Sequence, residues 1–232
     1  MKKYLLSILI QICFLQAQEF DTMLDEANRK WAGVEDFTAF FHKKELVNGK
    51  IIEENNIFLK WAKPLKIYMN WTTGDNTGQE IIYHPEKYGK SIETHRGSWQ
   101  NMINLSLDPE GSHAMKKSRH PIFDYGIGRI LDLVKQNYQL TKKIGKGSFK
   151  FVKEEQFDNK KTYLFLADLP EDQGFYCKKI LINLDKQTKL PLKITAYGFK
   201  NEFLEYYAFT NLKLNTSLSD MDFDMDNSKY KY

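Results

Sequence analysis

The sequence predicts a mainly β protein with a small helical part, an α+β fold of about ten antiparallel strands and two helices. Two observations predict it: apolar and polar residues alternate through most of the chain, and only two stretches show helical spacing. Strands that follow one another without crossover helices cannot form a doubly wound parallel sheet. Such a sheet must cover its apolar face, either by curling on itself or by packing the helices against it.

Residues 1–18 have the three-part layout of a secretory signal peptide. Lys2 and Lys3 precede an apolar run that extends from Tyr4 to Leu15, and the small residue Ala17 follows. The alternative is an N-terminal membrane anchor that is never cleaved. We expect cleavage, and therefore an exported protein of the periplasm or cell envelope.

The mature chain is predicted to start at Gln18 or Glu19 and to form a single domain over residues 19–232. A lipidation site at Cys13 is rejected, because glutamine and isoleucine rather than small residues precede it. Cleavage removes Cys13 and leaves Cys177 as the lone thiol. The mature protein is therefore expected to fold without an internal disulfide.

The charges are nearly balanced, with 34 basic and 30 acidic side chains and a net charge of +4. Both signs are interspersed, so the composition favours neither a nucleic-acid-binding protein nor a strongly basic membrane-surface protein. No motif for a cofactor or a metal stands out, and none is expected. A monomer is expected.

The first helix is predicted from Phe20 to Trp31, and Gly33 ends it. The period then changes to two, which indicates strands. Asn48-Gly49 predicts a tight hairpin, because a type I′ turn needs positive φ at both central residues. Its strands are Phe40–Leu46 and Ile51–Trp61.

The second helix is predicted from about Asp124 to Leu140, with Asp124 as N-cap and one apolar stripe. Before it, the pattern lapses from Gly97 to Pro121, and long loops in compact domains are usually functional or mobile. Further strands are predicted at Ile67–Trp71, Glu80–Pro85, Ser91–His95, Phe149–Gln156, Lys161–Leu169, Tyr176–Leu184, Lys189–Tyr197 and Phe203–Leu214.

Several stretches resemble one bacterial family: Lys60–Met69, Gly78–Tyr83, Leu107–Gly111, Ser118–Ile122 and Gly126. The chain is similar to domain-of-unknown-function family 1571, exported proteins whose role is not established. Leu184–Ile194, a strand-turn-strand with proline after the turn, is similar to the wider group of periplasmic lipoprotein carriers and related sensors, LolA, LolB and RseB among them. The resemblance implies a curved antiparallel half-barrel, LolA-like, wrapped on two or more helices around an apolar cavity. It carries over no catalytic residues, since none are established for the family.

The candidate ligand-binding residues are apolar and come from both kinds of element. The strands supply Trp61, Met69 and Trp71, and the second helix supplies Ile130, Leu131 and Val134. An acyl chain requires such a wall, since each buried methylene contributes about 0.8 kcal/mol. Alternation alone does not distinguish a hollow interior from a packed core, so both interpretations stay open here.

Arg119 and His120 have two interpretations. They either hold an anionic headgroup at the cavity mouth or anchor the loop beside the helix. Together with Asp108 and His113 they also imitate an acid–base cluster, but no nucleophile motif accompanies them. His113 and His120 lack a third ligand at a defined offset, which is weak for zinc.

Alternating acids from Asp220 to Asp226 hint at a calcium loop, but the required glycine and glutamate positions are not met. An edge strand with its acids facing outward is the preferred interpretation.

The leading functional hypothesis is a non-enzymatic carrier or chaperone that holds a lipid or acylated chain in an apolar cavity. The expected partners are a lipid or an acylated protein, with peripheral membrane contact. The second hypothesis is an envelope interaction or sensor module without a ligand cavity. The third is a hydrolase that uses residues 108–120.

Overall fold

The computed structural model describes residues 20–95 and 104–232. The predicted signal peptide, residues 1–18, lies outside the described part. Two compact units are present: residues 20–33 with 130–203 form the first unit, and residues 34–129 with 204–232 form the second. Both contain antiparallel strands, and helices accompany them, so the predicted α+β class is confirmed.

The described residues contain three α-helices, α1 (20–32), α2 (Pro85–Tyr88) and α3 (Ile127–Ile144). They also contain three short 3-10 turns, at Met115–Lys117, Ile122–Asp124 and Asp220–Phe223. None of these helices is both long and apolar enough to cross a membrane. The strands are β1 (Asp36–Val47), β2 (Lys50–Ala62), β3 (Lys66–Trp71), β4 (Glu80–Tyr83), β5 (Ile92–His95), β6 (Leu105–Leu107), β7 (Ser148–Phe157), β8 (Lys160–Asp168), β9 (Lys179–Asp185), β10 (Pro191–Tyr197) and β11 (Phe203–Leu214).

In the first unit, the strands lie in the order β10-β9-β8-β7. Phe20 at the start of α1 is fully buried, and its ring lies 4.9 Å from the rings of Tyr138, Phe149 and Phe165. One aromatic side chain thus joins α1, α3 and two strands in a single core. Gly33 ends α1 as predicted, and its N–H donates to the carbonyl of Lys30 at 3.2 Å.

In the second unit, the order is β6-β5-β4-β3-β2-β1-β11, so β1 has a partner on each side. The predicted hairpin between β1 and β2 is confirmed. Asn48 and Gly49 have φ of 50° and 75°, the positive values that its two-residue turn requires. The next hairpin places Ile57 opposite Trp71 and Leu59 opposite Met69.

The predicted start of the second helix is wrong. The helix α3 begins at Ile127, and Asp124 belongs to a 3-10 turn instead of serving as its N-cap. The Asp124 carboxylate accepts a hydrogen bond from the Arg129 Nε at 2.9 Å. Aspartate is a favourable N-cap residue, but here the Asp124 side chain bonds to the Arg129 guanidinium, in the first turn of α3.

Residues 218–232 form a C-terminal segment that lies on the outer face of β2, β3 and β4. The predicted edge strand around Asp220 is wrong, because Asp220–Phe223 is a 3-10 turn. Three of the four alternating acids form ion pairs with lysines: Asp222 pairs with Lys60 at 2.7 Å, Asp220 with Lys66, and Asp224 with Lys87. Ion pairs that hold the segment down, rather than edge protection, explain the alternating acids.

Candidate functional site

The inner face of the β2–β3 hairpin carries an unbroken apolar surface. On β2 it consists of Ile57, Leu59 and Trp61, and on β3 of the side chains opposite them, which include Met69 and Trp71. Every one of these side chains is buried, with at most 8% of its surface exposed. The three strand residues predicted for the ligand wall therefore share one face of one hairpin.

A cavity of about 680 Å³ lies against part of this surface, within the second unit. Its volume falls in the range of about 300–1,000 Å³ that small-molecule sites occupy. Met69 and Trp71 both border it. The apolar wall also includes Phe41, Ile57, Ile81, Ile92, Leu107 and Ile122.

Trp61 belongs to a packed core and is not among the residues that line this cavity. Its indole stacks on Phe37, with ring centroids 5.6 Å apart and planes 16° apart. Gly126 closes over the indole edge, where an added Cβ would lie 3.4 Å from the Trp61 Nε1. The glycine thus allows the chain to pass close to the ring. The hairpin therefore has a filled end at Trp61 and an open end at Trp71.

The three predicted helix residues, Ile130, Leu131 and Val134, are buried to 5%, 1% and 4% exposure. They belong to the first unit, whereas the residues bordering the cavity lie between Phe41 and Tyr125 in the second. Their role toward a ligand stays a prediction.

Two charged side chains continue the apolar face of β1, and the first of them, Lys43, borders the cavity. Lys43 and Glu45 follow Phe41 at intervals of two, and they are only 4% and 0% exposed. The Lys43 Nζ lies 3.3 Å from the Glu45 carboxylate and 3.2 Å from that of Glu54, and it donates to the Ser118 Oγ at 2.7 Å. A buried ammonium is stable only with such partners.

The pKa of Lys43 is raised above its ordinary value. Burial opposes the charge, but the negative charges of the Glu45 and Glu54 carboxylates outweigh it. Burial raises the pKa of the Tyr125 and Tyr207 phenols, so both remain neutral donors. Both phenols donate to Glu45, Tyr125 at 3.1 Å, which completes a buried polar network beneath the loop.

The structure places Arg119 and His120 together, on one carboxylate. The Arg119 Nε lies 3.4 Å from Glu205, and the His120 Nε2 lies 2.8 Å from the same oxygen. The Arg119 Nη1 also donates to the carbonyl of Leu46 at 2.6 Å. Both side chains therefore tie the loop to β1 and β11, the anchoring role weighed in the sequence.

The pKa of His120 is raised. Burial lowers it, but the hydrogen bond and negative charge of Glu205, with further contributions from Glu45 and Asp124, more than compensate. The charged imidazolium is thus favoured at the position where it holds the loop.

Asp108 and His113, the other two residues of the suspected acid–base cluster, have different surroundings. Asp108 closes a turn, accepting from the Glu110 N–H at 2.9 Å. His113 is exposed and borders the cavity. Across the described residues, no group of three or more His, Cys, Asp or Glu side chains is arranged to hold a metal ion. Cys177 is buried at 3% exposure.

The buried charges of β1 were not identified from the sequence, although a signal for them exists. The period-two pattern that puts Phe37, Ala39 and Phe41 on the inner face puts Lys43 and Glu45 on that face too. Charges on the predicted apolar face of a strand require buried partners or a polar end of the site. The pattern therefore indicates that the apolar face of β1 ends at Phe41 and that the buried polar network begins at Lys43.

The family model described as protein of unknown function DUF1571 matches residues 34–232. No curated protein matches the chain.

Solved structures with a similar fold include lipoprotein LppX of Mycobacterium tuberculosis, at 12% identity and a TM-score of 0.49, over 86% of this chain and 98% of that one. The Pseudomonas aeruginosa MucA/MucB complex matches at 17% identity and a TM-score of 0.47, over 90% of this chain and 60% of that one. A LolA superfamily protein of Nitrosomonas europaea matches at 12% identity and a TM-score of 0.33, over 89% and 97%. At these identities the likeness concerns the fold alone.

Proposed function

The chain belongs to the DUF1571 family, and we propose that this member binds the alkyl chain of a lipid or of an acylated protein, as a non-enzymatic carrier or chaperone of the cell envelope. The observation that carries the proposal is the cavity of about 680 Å³ beside Met69 and Trp71. This volume lies in the range of about 300–1,000 Å³ that small-molecule sites occupy, which supports binding of a small ligand.

The composition of the wall suits an alkyl chain. Each methylene that leaves water for such a wall contributes about 0.8 kcal/mol, so a chain of moderate length supplies enough free energy for binding. Trp71 gives a rigid surface, and the thioether of Met69 adapts to an irregular one. Ile81, opposite Met69 on β4, extends the same wall.

The surrounding polar groups support binding rather than bond cleavage. Arg119 and His120 are both bonded to Glu205, and Lys43 is bonded to two carboxylates. These contacts hold the loop in place over the sheet. In this proposal the loop serves as a fixed wall of the cavity.

Filling the cavity tests the proposal. Ile81→Trp adds an indole at a half-buried position on the wall, and we expect it to abolish binding of the neutral fluorescent probe N-phenyl-1-naphthylamine. Leu181→Trp, at a half-buried position on β9 in the first unit, is the matched control and should bind as the parent does. Overpacking costs about 1–3 kcal/mol, so both melting temperatures are measured alongside.

Native mass spectrometry of the protein purified from its own envelope supplies a second readout. A lipid mass retained by the parent and absent from Ile81→Trp supports the carrier. A parent that carries no lipid and binds no probe contradicts it, and leaves the envelope interaction or sensor module as the function.

A further inference from the structure

The cavity has a cationic border that the buried network does not use. Lys116 and Lys117 both line it, and both side chains are exposed. Among the described residues neither lysine forms an ion pair. They differ in this from Lys43, which borders the same cavity but is already held by Glu45 and Glu54.

The acidic groups on the border do not neutralise these two lysines. Glu54 is bonded to Lys43 and accepts a further hydrogen bond from the Asn76 amide at 2.6 Å. Asp75 is the one other carboxylate along the described lining, and it is exposed in the turn after β3. The border therefore carries two exposed ammonium groups and one exposed carboxylate. The border carries an excess of positive charge beside an apolar wall.

Hydrogen bonds from neighbouring residues fix the backbone that carries Lys116 and Lys117. They belong to the 3-10 turn Met115–Lys117, whose first N–H donates to the carbonyl of Gly111 at 3.0 Å. The buried Lys43 ammonium donates to Ser118 at 2.7 Å and to the Lys117 carbonyl at 3.4 Å. Just after the turn, Arg119 and His120 both pair with the Glu205 carboxylate. The network thus fixes the position of the turn relative to the cavity.

We infer that the ligand is an anionic amphiphile, with its alkyl chain in the cavity and its phosphate or carboxylate at Lys116 and Lys117. The inference rests on the proposed function and adds the chemical class of the headgroup. An apolar wall and an adjacent pair of uncompensated ammonium groups complement the two ends of such a molecule. Arg119, weighed earlier for this role, is bonded to Leu46 and Glu205, and the headgroup site lies on the turn just before it.

Three probes of one chain length test the inference: dodecyl phosphate, dodecanoate and dodecanol, each measured by displacement of N-phenyl-1-naphthylamine. We expect both anions to bind the parent about tenfold more tightly than the alcohol, because two exposed charge contacts together supply about that factor. In the double variant Lys116→Gln, Lys117→Gln, this preference should disappear while dodecanol binds as before. The unchanged alcohol affinity shows that the variant is folded.

The double variant Lys161→Gln, Lys213→Gln is the matched control, because it removes the same charge from exposed positions that do not border the cavity. It should retain the preference for anions. The anion that binds more tightly identifies the headgroup as phosphate or carboxylate.

Inorganic phosphate alone should not displace the reporter. Displacement by free phosphate as effective as by dodecyl phosphate would overturn the amphiphile and indicate a simple phosphate site. Equal affinities of the parent for the alcohol and the anions, or loss of the preference in the control variant, would also overturn the inference while leaving the carrier intact. Failure of all three probes to bind would instead reject the carrier.

Discussion

The two faces of the β2–β3 hairpin are covered in opposite ways. On the outer face, the C-terminal segment lies flat against the strands: Phe223 is 1% exposed, and the ring of Tyr230 stacks on Tyr68 at 4.1 Å. On the inner face, both tryptophans are buried, but Trp61 stacks on Phe37 away from the cavity, whereas Trp71 borders the cavity of about 680 Å³. The same two strands are thus sealed by their own chain on one side and left partly open on the other.

The C-terminal segment covers the outer face of the hairpin closely. The outer face is filled with ion pairs, stacked rings and hydrogen bonds, such as that from the Lys231 N–H to the buried Glu80 at 2.8 Å. Within the described part of the chain, the inner face beside Trp71 borders a cavity instead, which agrees with the proposed binding function.

The largest effect should come from Trp61→Ala, at the filled end of the inner face. The variant removes a ring stacked on Phe37 and leaves a new cavity, so we expect a loss of about 3–5 kcal/mol in the free energy of unfolding. Chemical denaturation of the purified protein measures it.

Trp71→Ala is the comparison variant, because it removes the same side chain from the border of an existing space. Its loss should be about 1–2 kcal/mol, with reduced probe binding. Equal losses for the two tryptophans would mean that both ends of the hairpin are packed alike.

An effect smaller than that of Trp61→Ala is expected on the outer face, from Phe223→Ala. Phe223 packs with Ala62, Tyr68 and Ile82, and its removal should cost about 3 kcal/mol, the low end for a buried phenylalanine, because the segment alone is released. Met221→Ala, 52% exposed in the same turn, should leave stability unchanged. Limited proteolysis followed by mass spectrometry reads out release of the segment. Resistance equal to that of the parent would show that the ion pairs alone suffice to hold it.

The smallest effect concerns acid pH. The Lys87 ammonium bonded to Asp224 lowers the pKa of that carboxyl to about 2, and Lys60 and Lys66 lower the pKa of Asp222 and Asp220. The stabilisation is present above the ordinary value of about 3.9 and is lost as the pH falls through the lowered values.

Between about pH 4 and pH 2, amide hydrogen exchange should therefore lose protection first in residues 218–232. If residues 218–232 stay protected to pH 2 while β1 and β2 lose protection, the three ion pairs do not hold the segment in place.

Alternation identified the strands well, because it depends only on which face each residue occupies. β11 has the predicted bounds, and the Asn48-Gly49 turn was identifiable because few residue pairs adopt positive φ at both positions. Alternation carries no information about what stands above a face. It therefore placed Trp61, Met69 and Trp71 together correctly but did not separate the packed end from the open one.

The polar parts were the least predictable. Alternation puts Lys43 and Glu45 on the inner face of β1, but the partners that allow their burial, Tyr125, Ser118 and Tyr207, are far away along the chain. The role of Arg119 likewise depends on Glu205 of β11. Pairings over such separations leave no periodic trace. A single sequence therefore does not show which residues of the network contact one another.

The position of β1 between β2 and β11 also bears on the order of folding. The β1–β2 hairpin closes over a two-residue turn, whereas the β1–β11 pairing joins residues 36–47 to residues 203–214 and must wait for a long loop to close. Until then one edge of β1 presents unpaired N–H and C=O groups, on which a foreign strand can add. That edge carries Lys43, Lys44 and Glu45 in succession. Because charged side chains on an edge strand discourage such pairing, we expect these three residues to limit aggregation until β11 pairs with β1.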